Sequence, residues 1–141
     1  KEYKDLKVLR NNTLSSHLNK TFSKVNILRE ITPFVNIIKM KKLWSNKIVD
    51  MIINYFFEMN LLLSMFYKLL SKNGKCVIVV GNSSYGNVAI PTDEILKKLA
   101  KKNGFKKNYI IEARRLGTSS QQYKKIDDLN KLRESLVVLS K

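Results

Sequence analysis

One cysteine, Cys76, and one histidine, His17, stand in 141 residues. A lone cysteine excludes a disulfide framework and a thiolate metal cluster. A lone histidine argues against a zinc site, a histidine-assisted triad and a histidine proton relay. Together these scarcities point to a reducing, cytoplasmic setting, and the first residues do not resemble a secretory signal. The five glycines, at 74, 81, 86, 104 and 117, never form Gly-x-Gly, which excludes a dinucleotide-type loop. The two prolines, Pro33 and Pro91, are far apart, so no Pro-Pro-aromatic segment exists. Paired carboxylates suited to acid–base work are not evident, since Asp127 and Asp128 sit in a charged, solvated stretch.

Positive charge is what the chain has in excess. Lysine and arginine number 27 against 11 acidic residues, a formal net charge of +16. Such an excess draws polyanions by releasing their condensed counterions, which makes nucleic acid the first partner to weigh. Only five of these bases are arginines (Arg10, Arg29, Arg114, Arg115 and Arg133), and Asn and Ile are also frequent. A/T-biased codons would produce the same lysine excess, so charge alone leaves the matter even. Length and composition fit one soluble globular domain. The chain starts at Lys1, which predicts a fragment, a trimmed product or a processed one.

The stretch 48–70 is apolar enough to raise the question of a membrane. Asp50, Asn54 and Glu58 recur at intervals of four, and Ser64 and Lys68 continue the stripe after a slip. A spanning helix needs about twenty residues almost free of charge, so this pattern predicts a core helix with a narrow polar face and no membrane partner.

From this helix onward one unit occurs twice. Helix 48–71 runs through Lys-Asn-Gly into strand 76–80, and helix 93–103 runs through Lys-Asn-Gly into strand 108–113. Gly74 and Gly104 suit the left-handed position that ends a helix. Thr92 is expected to cap the second helix, with Asp93 and Glu94 on the positive end of its dipole. Helix–glycine–strand repeated predicts a right-handed, parallel α/β sheet. "CVIVV" shows no alternation and predicts a central strand covered on both faces. A strand at 134–140 follows the second without a long helix between them, which predicts an antiparallel return beside it. Residues 1–47 read as an irregular or helical region, polar at 11–24 and interrupted by Pro33. Three strands and two strong helices leave an apolar edge with too little cover, so the chain reads as half of a domain.

Three polar segments carry chemistry. Residues 81–91 begin at the carboxyl end of a strand, where open α/β sheets bind ligands. Gly81 allows close backbone approach there, and Asn82, Ser83 and Ser84 offer donors and acceptors. Residues 112–125 open on the same edge: Arg114 and Arg115 suit phosphate, Gln121 or Gln122 a base edge, and Tyr123 a stacked base. Residues 9–17 gather Arg10, Asn12, Thr13, Ser16 and His17 in a stretch that suits phosphate contact and a plain turn equally well. Arg133 and Glu134, at the mouth of the last strand, read as an ordinary ion pair.

"GKCVIVVGNSSYGNVAIPTDEILKKLAKKNGF", "RRLGTSSQQ" and "LRESLVVL" together resemble, in that order, the C-terminal half of bacterial and archaeal DNA methyltransferases that modify exocyclic amino groups. "LRNNTLSSH" looks like the stretch just downstream of their catalytic loop. The resemblance covers most of the chain, is strongest over 60–141 and loosest over 18–47. It implies a partial Rossmann-like, S-adenosylmethionine-dependent α/β fold in which 1–141 is the C-terminal part of one methyltransferase domain, 48–141 being its α/β half. The last strand would insert antiparallel, and the loops 81–91 and 114–123 would face the target base. Such enzymes hold the donor with a Gly-rich loop and the target amino group with a Ser/Asp/Asn-Pro-Pro-Tyr loop, and neither is in this chain. The resemblance therefore implies no catalytic residue here and a donor bound mainly by residues outside this chain. It makes Asn82, Ser83, Arg114, Ser119 and Gln121 the candidates for target-side contact, with Arg115, Arg10 and His17 beside them as phosphate or substrate contacts.

The implied function is methyl transfer to cytosine or adenine in DNA, within restriction–modification or phage defence, completed by the missing N-terminal half in the same polypeptide or in a partner chain. An RNA methyltransferase, such as one acting on tRNA, and a non-catalytic nucleic-acid-binding or assembly subunit stay open beside it, as does a homodimer.

Overall fold

The computed structural model describes residues 8, 9, 11–18, 24–116 and 132–141. In chain order the elements are α1 (Thr32–Lys39), α2 (Lys47–Leu69), β1 (Lys75–Gly81), β2 (Ser83–Tyr85), β3 (Val88–Ile90), α3 (Thr92–Lys102), β4 (Lys107–Arg115) and β5 (Arg133–Ser140). The fold is mixed α/β.

Helix α2 is the spine. Ile48, Met51, Ile52, Phe56, Met59 and Leu63 recur at helical spacing and are buried, each contributing roughly 1.5–3 kcal/mol by leaving water. By length and composition the helix could cross a membrane, yet this face packs against α1, α3 and the sheet. Its polar stripe is engaged rather than simply wet. Asn54 is buried and donates to the Asp50 carbonyl at 2.9 Å, and Glu58 accepts two hydrogen bonds from Ser15.

The two Lys-Asn-Gly turns differ. Gly104 takes the left-handed conformation, with φ +104°, and the Tyr67 ring lies 2.8 Å from where a Cβ would stand. In the first turn it is Asn73, not Gly74, that is left-handed, with φ 67°. Gly74 is needed for another reason: its backbone passes so close to the Ser71 carbonyl that a Cβ would sit 2.9 Å from that oxygen. Asparagine tolerates the left-handed region because its short polar side chain can bond locally.

Sheet order is β1-β5-β4, and both ladders are antiparallel. The expected parallel pairing of 76–80 with 108–113 is corrected: those strands run the same way, but β5 lies between them and runs against both. The antiparallel last strand is present. "CVIVV" is likewise not a central strand among the described residues, because β1 has a neighbour on one side only. Cys76, Ile78 and Val80 turn to the core, whereas Val77 and Val79 are 53% and 61% exposed. A run that is apolar on both faces cannot tell from its own composition whether both are covered.

The register extends that face across the sheet. Val77 pairs with Val138 and Val138 with Tyr109; Val79 pairs with Leu136 and Leu136 with Ile111. Tyr109 and Ile111 are each 47% exposed, while Val138, between β1 and β4, is 5% exposed. The open apolar side chains are therefore those of the flanking strands β1 and β4, with β5 largely covered between them.

Candidate functional site

The expected loop 81–91 contains a second, two-stranded sheet over residues 83–90. Ser83, Ser84 and Tyr85 pair with Ile90, Ala89 and Val88. Gly86 and Asn87 join them, both with positive φ, at 57° and 65°, as a two-residue type I′ hairpin requires. The signal was present in the sequence as Gly-Asn between short strand-forming runs. A Cβ on Gly86 would meet the Lys41 Cβ at 2.8 Å, so the hairpin tip is seated on the segment that joins α1 to α2.

Alternation along β2 separates its side chains. Ser83 and Tyr85 turn to one side, where they line a cavity of about 180 Å³ with Tyr55, Phe56, Ser15 and Thr92. A space of roughly 150 Å³ holds one benzene-sized ring, so the cavity suits a single small heterocycle. Burial pushes the Tyr55 and Tyr85 phenols above their ordinary value of 10, a hydrogen bond with Ser83 partly offsetting this for Tyr85. At neutral pH both are therefore protonated and able to donate.

Asn82 does different work. It is buried, and its Oδ1 accepts the Asp93 backbone N–H at 3.2 Å, which caps α3 from eleven residues away. Thr92, expected to be the cap, is the first helical residue and makes no capping bond. Asp93 is fully buried, and one of its oxygens accepts from Arg133 Nε at 2.8 Å and from Ser135 Oγ at 2.9 Å. Burial raises the Asp93 carboxyl, and the hydrogen bonds of Arg133, Ser135, Asn82 and the Glu94 backbone outweigh it, leaving the group below its ordinary value. Arg133 is held above its own, first of all by the bond to Asp93. It also reaches Glu112 at 3.5 Å and Glu94 at 4.0 Å. Arg133 and Glu134 are thus ion-paired, though not to one another.

Arg114 and Arg115 are exposed on the same edge of the sheet, each beside a carboxylate: Arg114 Nε lies 2.7 Å from Glu134 and Arg115 Nε 3.4 Å from Glu112. His17 is half-buried, with Nε2 3.4 Å from Thr13 Oγ1 and Nδ1 buried without a partner among the described residues. Ser15, which sequence reasoning passed over, is the anchor of its segment: Glu58 accepts its backbone N–H at 2.7 Å and its hydroxyl at 2.8 Å. Arg10, Ser119 and Gln121 lie outside the described residues.

The geometry brings Ser83 to the cavity and Asn82 to the buried network, with Arg114 and Arg115 at the adjoining strand end. Among the described residues, no three His, Cys, Asp or Glu side chains converge as a metal site would need. Compared with known proteins, the chain matches no family model, no curated protein and no solved structure at a significant level.

Proposed function

We propose that this chain is the C-terminal part of an S-adenosylmethionine-dependent DNA methyltransferase that modifies the exocyclic amino group of cytosine or adenine. The observation that carries the reading is the order β1-β5-β4, with the last strand inserted antiparallel between two strands that run the same way. That is the arrangement the sequence resemblance implies, and it is not the arrangement that a repeated helix–glycine–strand unit implies by itself. The cavity supports the target side of the reading, since it has room for one ring and hydroxyl donors to hold it. It stands at the carboxyl end of β1, where α/β sheets take their ligands.

Among the described residues, this cavity does not fit the methyl donor. Pockets for molecules of that size run from roughly 300 Å³ upward, and this cavity measures about 180 Å³. The donor site therefore belongs to the missing half, in the same polypeptide or a partner chain, and no step through the donor is assigned to residues here. The exposed Val77, Val79, Tyr109 and Ile111 of β1 and β4 are the surface such a half would cover. Cytoplasmic restriction–modification is the setting that goes with this activity.

Deleting the coding sequence in its source and digesting the DNA to nucleosides tests the proposal. Loss of N4-methylcytosine or N6-methyladenine at one short sequence is expected. An unchanged set of modified DNA nucleosides overturns it, and loss of a methylated tRNA nucleoside instead replaces DNA with RNA.

A further inference from the structure

The segment between α1 and α2 supports the hairpin tip but lines neither the cavity nor the buried ion-pair network. From Lys39 to Lys47 it reads KMKKLWSNK, four lysines in nine residues, and no carboxylate occurs between Glu30 and Asp50. Lys39, Lys41, Lys42 and Lys47 are all exposed, and no ion pair engages them among the described residues. In their midst Trp44, the only tryptophan of the chain, is 78% exposed.

That exposure is not the result of a loose loop. Leu43, its neighbour, packs against the core. The segment leaves α1 through Met40 and Lys41 N–H bonds to the Ile37 and Ile38 carbonyls. It enters α2 through a Lys47 N–H bond to the Ser45 hydroxyl at 3.2 Å. The hairpin tip at Gly86 rests on Lys41 and Leu43. A fixed backbone thus holds the indole out into water, at an exposure that forfeits most of what its burial would contribute.

We infer that Lys39–Lys47 is a nucleic-acid contact in which Trp44 stacks on an unpaired or unstacked base while the four lysines meet the flanking phosphates. An indole face offers stacking to any base, and lysines supply charge without a base-reading fork, so the contact is sequence-tolerant. A protein partner is disfavoured because the cores of protein interfaces are depleted in lysine. A membrane surface is disfavoured because these side chains project from a short connection and not from an amphipathic helix lying in the interface. The inference stands apart from methyl transfer and holds for any nucleic-acid partner.

The single tryptophan is its own reporter. The protein is titrated with a short single-stranded oligonucleotide while indole emission is followed, from about 50 to 200 mM salt. Saturable quenching is expected, with log K falling against log salt at about 0.7 per phosphate engaged. With a labelled oligonucleotide, Trp44→Ala should weaken binding by about ten-fold or more and Trp44→Phe by less, the range expected for loss of one stacked base. Replacing Lys39, Lys41, Lys42 and Lys47 by Gln should flatten the salt slope by about 3. Replacing Lys72, Lys75, Lys106 and Lys107, an equal charge change elsewhere, should leave the quenching in place. Far-UV circular dichroism verifies that each variant is folded. Binding without quenching, Trp44→Ala binding as the wild type, or an emission shift with anionic vesicles and none with nucleic acid each overturns the inference. None of these results bears on which nucleosides are lost on deletion, so the two proposals fail separately.

Discussion

Glu58 grips Ser15 across 43 positions of sequence, one carboxylate oxygen on the backbone N–H and the other on the hydroxyl. Ser15 is almost completely buried by this contact. The clamp converts a polar, turn-prone stretch into one wall of the cavity.

Glu58→Ala should therefore free residues 11–18 before it unfolds anything else. Leaving the Ser15 donors unpaired costs about 1–3 kcal/mol. Hydrogen exchange should show early loss of protection at Ser15 with α2 still protected. Equal loss along α2 would mean the clamp holds the whole helix instead.

Asp93 governs acid stability at the loop end of the sheet. Its carboxyl is depressed in the folded chain, so its contribution is fully present above the ordinary value of 3.8. It is lost as pH falls below that, through the folded-state value. Asp93→Asn should flatten the decline of melting temperature between neutral pH and about pH 2. It should also cost about 2 kcal/mol or more at neutral pH, less than the roughly 3–5 of a fully buried pair, because Arg133 retains Glu112.

The two turns should respond in opposite senses. Gly104→Ala meets both a positive φ and the Tyr67 ring, and should lower stability by more than about 1 kcal/mol. Asn73→Gly relieves a left-handed non-glycine residue and should be neutral or stabilising by up to about 1 kcal/mol. Urea titrations of the two variants give both numbers.

The open apolar face should make the isolated chain self-associate, as exposed apolar patches do. Val79→Lys with Ile111→Lys places charge in one row, on either side of Leu136. Light scattering should fall toward the monomer mass while stability stays within about 0.5 kcal/mol. Unchanged scattering would exclude this face as the adhesive one.

Local signals in the sequence were informative about what they could reach. The stretches 48–71 and 93–103 appear as Lys47–Leu69 and Thr92–Lys102, because their apolar spacing and glycine stops act over one turn of helix. The hairpin at 83–90 was legible in Gly86-Asn87 but hidden by the expectation of a loop. Strand order was not legible in local pattern and came only as an implication of the resemblance: nothing in 75–81 or 107–115 by itself says that residues 133–140 will separate them. Nor was the cap of α3, which comes from Asn82 across eleven positions. At the candidate site, the polar character of 82–84 was plain. That Asn82 would support a buried carboxylate while Ser83 lines the cavity depends on a strand twist that no spacing records.

The placement of β5 has a consequence for how the chain is made. Strands β1 and β4 hydrogen-bond to β5 and not to one another, so on the ribosome neither has a ladder partner among the described residues until residues 133–140 have emerged. Until then the nascent chain carries two apolar strands with open edges, the form most exposed to mispairing. Slowing translation just before Leu132 should accordingly lower the soluble yield, whereas a pause after Ser140 should not.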